Sequence, residues 1–291
     1  MIFLKKILSL SLGIIALCLF FLPSNVRADK IKVVTTTDFY GQVAEEVLGN
    51  KGKVTSIINN PSVDPHDYEP TTQTAKQVSN ANIVIYNGLG YDSWITKLSN
   101  GKKKIDVATD VMHAKDGDNE HLWYNSKTMG KLADYLVKEY AKLDPKNETY
   151  YKKNAAKYKQ KLTKLQTLIA KIKKNSDNKE VAVSEPVFDY ALKDMGYKIA
   201  NRHFAKATED GSDPSYSDIK KLQNDIKHKK IAFFVENTQS DSKVISSIVS
   251  LCQKYDVSVI KVTETTPKGK DYLQWMSSEY EQVLKIQEDR K

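Results

Sequence analysis

Short runs of β-forming residues alternate with helical segments along most of the chain, and this alternation constrains the fold more than any other feature. The predicted strands are residues 31–37, 53–58, 82–87, 104–107, 180–184, 197–200, 230–235 and 257–262. Helical patterns separate most of them, at residues 40–48, 72–79, 189–195, 215–227 and 242–254. Strands that alternate with helices form parallel sheets covered on both faces. We therefore predict an α/β protein of two lobes, each a parallel sheet of about four strands flanked by helices.

A single apolar stripe lies between the two halves. Its members recur at intervals of four and three residues: Tyr151, Ala155, Tyr158, Leu162, Leu165, Ile169 and Ile172. This spacing predicts one helix over residues 148–174, about 40 Å long. A coiled-coil dimer is the alternative, but a stripe of only about three heptads favours an internal strut. The predicted organisation is an N-terminal lobe at 29–146, a connecting helix at 147–175 and a C-terminal lobe at 176–291.

The first 28 residues have the pattern of an export signal. Lys5 and Lys6 precede an uncharged, largely apolar run at residues 7–22, and small residues stand near residue 28. We expect an exported protein, at the cell surface or secreted, with this segment cleaved or kept as a membrane anchor. Cys18 offers a further alternative, attachment through a lipid. Without the segment, Cys252 is the only cysteine, so an intramolecular disulfide is excluded.

The net charge of +9 comes from lysines spread over several helix faces. Solvated helix faces are the ordinary explanation of such lysines. A nucleic-acid-binding protein would need a basic stripe interleaved with aromatic residues, and the sequence has none. It also has no Gly-x-x-x-x-Gly-Lys-Ser/Thr phosphate loop, so any ATP would be hydrolysed by another subunit.

The segment DPHDYEP at residues 64–70 follows a predicted strand and contains one imidazole, three carboxylates and two prolines. Prolines restrict their own φ angle and the residue before them, so His66 is presented on a stiff loop. An imidazole held among acids suits a divalent metal ion. A solvated loop histidine is the alternative for this segment alone.

Three other candidate ligands stand where strands or loops meet helices. His121 precedes Leu122 and Trp123, which would dock its loop against the core. Glu185 ends a predicted buried strand, and ligands bind at the carboxyl ends of strands in open α/β sheets. Asp241 either ligates the metal or caps the helix that follows it. Glu185 has a similar alternative, as an acid favoured at a helix N-terminus.

Several motifs in order resemble the zinc- and manganese-binding solute receptors of bacterial ABC importers. They are DPHDYEP at 64–70, YNGLGYDSW at 86–94, EHLW at 120–123, SEPVFDY at 184–190 and DPS at 213–215. The resemblance runs from about residue 31 to the carboxyl end. It implies two α/β lobes, a long connecting helix, and a metal ion bound between the lobes by His66, His121 and Glu185.

The chain departs from the family pattern at two points. Glu120 replaces the proline that usually precedes the second histidine. The family's fourth carboxylate follows a Phe-Val-Glu strand end, which by strict counting falls on Ser240, with Asp241 one residue later. The alternatives for the fourth ligand are Asp241, Glu236, a water molecule or, more distantly, His203.

The resemblance predicts a monomeric, non-enzymatic receptor that captures one divalent ion and delivers it to a membrane permease. Manganese is slightly favoured over zinc, because Glu185 stands where zinc receptors have histidine and carboxylates suit manganese. One alternative is a secreted zinc-dependent hydrolase, in which three ligands leave an open position. Another is a surface adhesin with a structural metal.

Overall fold

Two four-stranded sheets organise the computed structural model of the chain, which describes residues 30–240 and 242–289. The first sheet has the order β2-β1-β3-β4, with β1 at Ile31–Thr37, β2 at Gly52–Ile58, β3 at Ile83–Tyr86 and β4 at Lys103–Asp106. The second has the order β6-β5-β7-β8, with β5 at Glu180–Val183, β6 at Lys198–Ile199, β7 at Phe234–Asn237 and β8 at Val259–Val262. Every strand pairing is parallel. The predicted fold class is confirmed.

Ten α-helices are found in the described residues. They are α1 (Asp38–Leu48), α2 (Thr72–Ser79), α3 (Trp94–Leu98), α4 (Thr128–Leu143), α5 (Glu148–Lys173), α6 (Asp189–Asp194), α7 (Arg202–Glu209), α8 (Tyr216–Lys227), α9 (Lys243–Lys254) and α10 (Tyr272–Glu288). Among these helices, none combines the length and the apolar character that crossing a bilayer requires. The predicted export segment, including Cys18, and the candidate ligand Asp241 lie outside the described residues.

Helix α5 is the predicted connecting helix, and all seven residues of its stripe are buried. It packs against α1 and α4 from the first half of the chain and against α10 from the second. The stripe is therefore covered by the chain's own helices, as expected for an internal strut. Its 26 residues span about 39 Å.

Strand β7 differs from its prediction, which was residues 230–235. The observed strand extends to Glu236 and Asn237, which pair with Lys261 and Val262 of β8. Apolar patterning ends at Val235, so it gave no sign that two polar residues continue the ladder. The extension carries Asn237 to the carboxyl edge of the second sheet.

Aromatic side chains fill the core where the two halves of the chain meet. Phe39 and Trp123 from the first half have ring centroids 5.0 Å apart, and Tyr124 lies 5.1 Å from Phe188 and 5.7 Å from Trp275. All five residues are fully buried. Buried aromatic rings contribute large apolar areas and well-defined packing geometries. The loops at the carboxyl ends of the strands therefore rest on a closely packed base.

Candidate metal centre

The turn after β3 is organised by Asp92, a fully buried carboxylate. It accepts hydrogen bonds from the backbone N–H groups of Asn87 and Gly88, at 2.7 and 3.0 Å, and from the Thr36 hydroxyl at 2.6 Å. Gly88 has a φ angle of +86°, and a Cβ there would collide with the Asp106 carboxylate. Only glycine fits this backbone without displacing its neighbour. The YNGLGYDSW motif thus builds a rigid turn.

This turn fixes both histidine-bearing loops. The Trp94 indole N–H donates to the Pro65 carbonyl at 3.1 Å, directly before His66. The Asn87 side-chain amide donates to the Glu120 carbonyl at 2.9 Å, directly before the second histidine. Because each contact restrains the backbone next to an imidazole, the motif orients both rings from one rigid point.

His121 is buried, with 1% of its surface exposed. Its Nδ1 lies 2.8 Å from the Asn119 side-chain oxygen, and the amide nitrogen of Asn119 donates to the Pro186 carbonyl at 2.7 Å. The second contact orients the Asn119 amide so that its oxygen accepts a hydrogen bond from the Nδ1–H group. Burial lowers the pKa of His121 to about 3, so the ring is neutral. A neutral imidazole protonated on Nδ1 directs the Nε2 lone pair at a ligand, the usual arrangement in metal sites.

His66 is more accessible, with 39% of its side chain exposed. Its Nε2 lies 3.1 Å from a Glu120 carboxylate oxygen, and its ring packs edge-on to Tyr91 at 4.9 Å. The hydrogen bond to Glu120 raises the pKa of His66 to about 9, against the opposing effect of burial. The Asp64 side chain accepts a hydrogen bond from the His66 backbone N–H at 2.8 Å. This contact restrains the backbone of the loop that carries His66.

Two carboxylates from the second half of the chain share one hydrogen-bond donor. The Asn237 amide nitrogen, at the end of β7, lies 2.6 Å from a Glu185 oxygen and 2.8 Å from a Glu264 oxygen. Glu185 follows β5 and Glu264 follows β8, so three adjacent strands bring these groups to one edge of the sheet. No cationic side chain pairs with either glutamate among the described residues.

Glu264 was not predicted from the sequence. Burial, followed by repulsion from Glu185 and Asp64, raises its pKa to about 8, and His66 acts in the opposite direction. Its backbone N–H donates to the Gln239 side-chain oxygen at 2.6 Å. The one available signal was its position two residues after a predicted strand, since no flanking motif marks it.

Two further acids surround His121. Among the described residues, the metal-ligating atoms of Glu120, His121 and Glu209 form a group in which all lie within 4.8 Å of one another. Glu209, at the end of α7, approaches His121 Nδ1 to 3.6 Å and also pairs with Lys206 at 3.2 Å. Glu209 therefore lies on the Nδ1 side of the His121 ring, where Asn119 also makes its hydrogen bond.

The remaining candidates lie elsewhere. His203 and His228 are exposed on α7 and after α8, and His113 is exposed beside the Thr109 carbonyl. Glu236 precedes Asn237 in β7, and successive strand residues point to opposite faces, so its side chain points away from Glu185. Three of the predicted ligands thus lie around one cleft, while Asp241 lies outside the described residues.

The donor chemistry of this cleft fits a divalent transition-metal ion. Two imidazoles from one half of the chain face two carboxylates from the other, with Glu264 interacting electrostatically with both His66 and Glu185. Adjacent carboxylates with one shared donor repel each other, and a bound cation relieves that repulsion. Nitrogen and oxygen donors of these types bind zinc and manganese.

Comparisons with known proteins identify the family. Residues 33–285 match the family model for the periplasmic zinc-uptake complex component A, ZnuA. The chain belongs to this family. It is 31% identical over 246 residues to the metal ABC transporter substrate-binding lipoprotein SloC of Streptococcus mutans serotype c, covering 77% of this chain and 78% of that protein. It is 29% identical over 236 residues to the manganese ABC transporter substrate-binding lipoprotein PsaA of Streptococcus pneumoniae, covering 74% of each.

The fold of the ZnuA-family chain is also similar to a solved structure. The periplasmic zinc-binding protein TroA from Treponema pallidum superposes with a TM-score of 0.72, covering 89% of this chain and 99% of that one. The identity is 17%, so this likeness concerns the fold. The resemblance predicted from the motifs is confirmed by the family match.

Proposed function

We propose that this chain is an extracytoplasmic solute-binding receptor of an ABC importer. It captures one divalent transition-metal ion between its two lobes and delivers the ion to a membrane permease. The observation that carries the proposal is the facing arrangement of His66 and His121 against Glu185 and Glu264. The two carboxylates share the single Asn237 donor and so favour a cation between them.

The proposed ligands are His66, His121, Glu185 and Glu264. Glu264 takes the fourth position that the sequence assigned to Asp241, because its carboxylate is held beside Glu185. His121 contributes Nε2, since Nδ1 faces Asn119. The proposed lobes are residues 29–146 and 176–291, joined by the helix at 147–175.

Manganese is the proposed preferred ion, by a small margin over zinc. Two carboxylates supply oxygen donors that suit manganese, whereas zinc accepts the same set and usually binds a given site more tightly. PsaA, one of the relatives, is named for manganese transport, and TroA is named for zinc binding. The choice between manganese and zinc therefore depends on the arrangement of the ligands around the ion as well as on their donor atoms.

The receptor would act as a monomer without catalytic activity of its own. Its partners would be a permease and a separate ATPase subunit, with no nucleic acid. The relatives SloC and PsaA are named as lipoproteins, in agreement with an exported chain held at the cell surface through its N-terminal segment. The cleft is open to solvent beside Asp64, Asp67 and Asp118, and acids at a cleft mouth attract cations.

The test is metal analysis of protein purified without chelators, combined with competitive manganese and zinc titrations. The wild type should carry about one ion per chain. His66→Ala and Glu185→Ala should each weaken binding of the same ion, since the two residues contribute to one site from opposite lobes. His203→Ala, on an exposed helix face, is the matched control and should bind normally.

Failure of the wild type to bind any ion would reject the receptor function. Normal affinity in Glu185→Ala would remove that residue from the ligands. Ion-dependent hydrolysis of a peptide or ester substrate would instead favour the secreted hydrolase.

A further inference from the structure

Glu120 approaches both imidazoles of the proposed site. Its Oε1 lies 3.1 Å from His66 Nε2, and one of its oxygens lies within 4.8 Å of a His121 ring nitrogen. Its side chain is 13% exposed, and it interacts electrostatically with Glu264 on the opposite side of the cleft. Glu120 therefore lies beside both imidazoles and within electrostatic reach of Glu264.

The backbone of Glu120 is held independently of its carboxylate. Its carbonyl accepts the Asn87 amide at 2.9 Å, and Asn87 is itself fully buried and accepts the Tyr40 hydroxyl at 2.6 Å. The next residue, His121, donates its backbone N–H to the Asn119 side chain at 2.8 Å. Because the backbone is fixed on both sides, the side chain is directed toward His66 by local structure.

The separation from His66 matches that of two ligands on one ion. Two donor atoms each about 2.1 Å from a metal and at right angles to each other lie about 3.0 Å apart. The Oε1–Nε2 distance of 3.1 Å is close to this value. His66 would exchange its contact with the carboxylate for one with the ion, and the carboxylate would remain beside it.

We propose that Glu120 is a fifth donor to the bound ion and that it shifts the preference of the site from zinc toward manganese. This inference rests on the proposed function. Zinc in proteins is usually four-coordinate, whereas manganese accepts octahedral sites rich in oxygen donors. A third carboxylate added to two imidazoles raises the donor number to five and the ligand charge to −3, and both changes favour the harder ion.

The test compares Glu120→Gln with the wild type in competitive titrations with manganese and with zinc. The substitution keeps the shape of the side chain and removes its charge. Manganese affinity should fall by more than about a hundredfold, because loss of a ligand costs more than the roughly 10–100-fold loss of an outer partner, while zinc affinity falls much less. Asp116→Asn, an exposed acid in the same loop, is the matched control for loss of charge and should leave both affinities unchanged.

X-ray absorption of the manganese-loaded proteins gives a second readout, because Glu120→Gln should alter the set of light-atom donors around the ion and Asp116→Asn should not. The melting temperatures of the chelator-treated variants and wild type show whether each variant is folded. Equal losses for manganese and zinc would overturn the proposal and leave Glu120 as a support for the His66 loop. A gain in affinity for both ions would overturn it in favour of a carboxylate that competes with the metal for His66. Absence of binding in the wild type would instead reject the proposed function.

Discussion

Glu264 and Glu279 are two glutamates with the same raised pKa and opposite surroundings. Burial raises the pKa of each side chain from 4.5 to about 8. Glu264 then experiences further repulsion from Glu185 and Asp64, and shares its single amide donor with Glu185. Glu279 instead makes three hydrogen bonds and lies in the aromatic core.

The hydrogen bonds around Glu279 also indicate where its proton is. The Tyr124 hydroxyl lies 2.6 Å from the Thr263 carbonyl and 2.7 Å from Glu279 Oε2, but it has only one proton to donate. If that proton goes to the carbonyl, a protonated Glu279 supplies the second hydrogen bond. The comparison teaches that the Glu279 proton can be used in a hydrogen bond with Tyr124 inside the core, whereas Glu264 lies among other acids, where a bound cation would replace its proton.

The largest expected difference between the two glutamates is in metal affinity. Glu264→Gln should weaken divalent-ion binding by more than about a hundredfold, because loss of a ligand exceeds the roughly 10–100-fold cost of losing an outer partner. Glu279→Gln, its matched control, should leave the affinity unchanged. Isothermal titration of both variants with manganese checks this, and equal affinities would remove Glu264 from the ligands.

A smaller effect is expected from the shared donor. Asn237→Ala removes the one amide that orients Glu185 and Glu264, so affinity should fall by about 10–100-fold. Asn201→Ala is the control, since this asparagine binds the backbone of Val183 at 3.0 and 2.8 Å in the same sheet. The Asn201 variant should melt at a lower temperature and keep its affinity for the ion. Equal affinity losses in the two variants would show that a general loosening of the sheet accounts for the weaker binding, without a specific role for Asn237.

The same comparison separates what local sequence predicts from what tertiary structure decides. The strand–helix alternation and the seven-residue stripe of α5 predicted the fold, because periodicity reports directly which faces are buried. His66, His121 and Glu185 were predicted as ligands because each lies in a recognisable motif. Glu264, the fourth proposed ligand, was not predicted because its environment is created by Asn237 and Glu185, which are remote in sequence and meet at the sheet edge.

The approach of Glu209 to His121 was hidden for a related reason. It depends on how α7 packs against a loop from the other half of the chain. Glu279 shows the same limit, since a glutamate on a helix with an ordinary polar pattern gives no sign that its carboxyl lies against Tyr124 and Trp275.

The smallest expected effect concerns the stability contributed by Glu279. Its pKa is higher in the folded chain than in the unfolded chain, so the free energy of unfolding falls as the pH rises from about 4.5 toward 8. The amide introduced by Glu279→Gln has no proton to lose and can donate to the Tyr124 oxygen as a protonated glutamate does. Glu279→Gln should therefore gain about 2–3 kcal/mol relative to the wild type between pH 5 and pH 7.

Urea unfolding at the two pH values, with chelator present, measures this gain. Glu288→Gln near the end of the same helix is the control for loss of a carboxylate, because its side chain is 57% exposed. A Glu279→Gln difference that does not change with pH would mean that the carboxyl keeps the same charge in both folded and unfolded chains. In that case the three donors would stabilise an ionised Glu279, and its contrast with Glu264 would lie in hydrogen bonding alone.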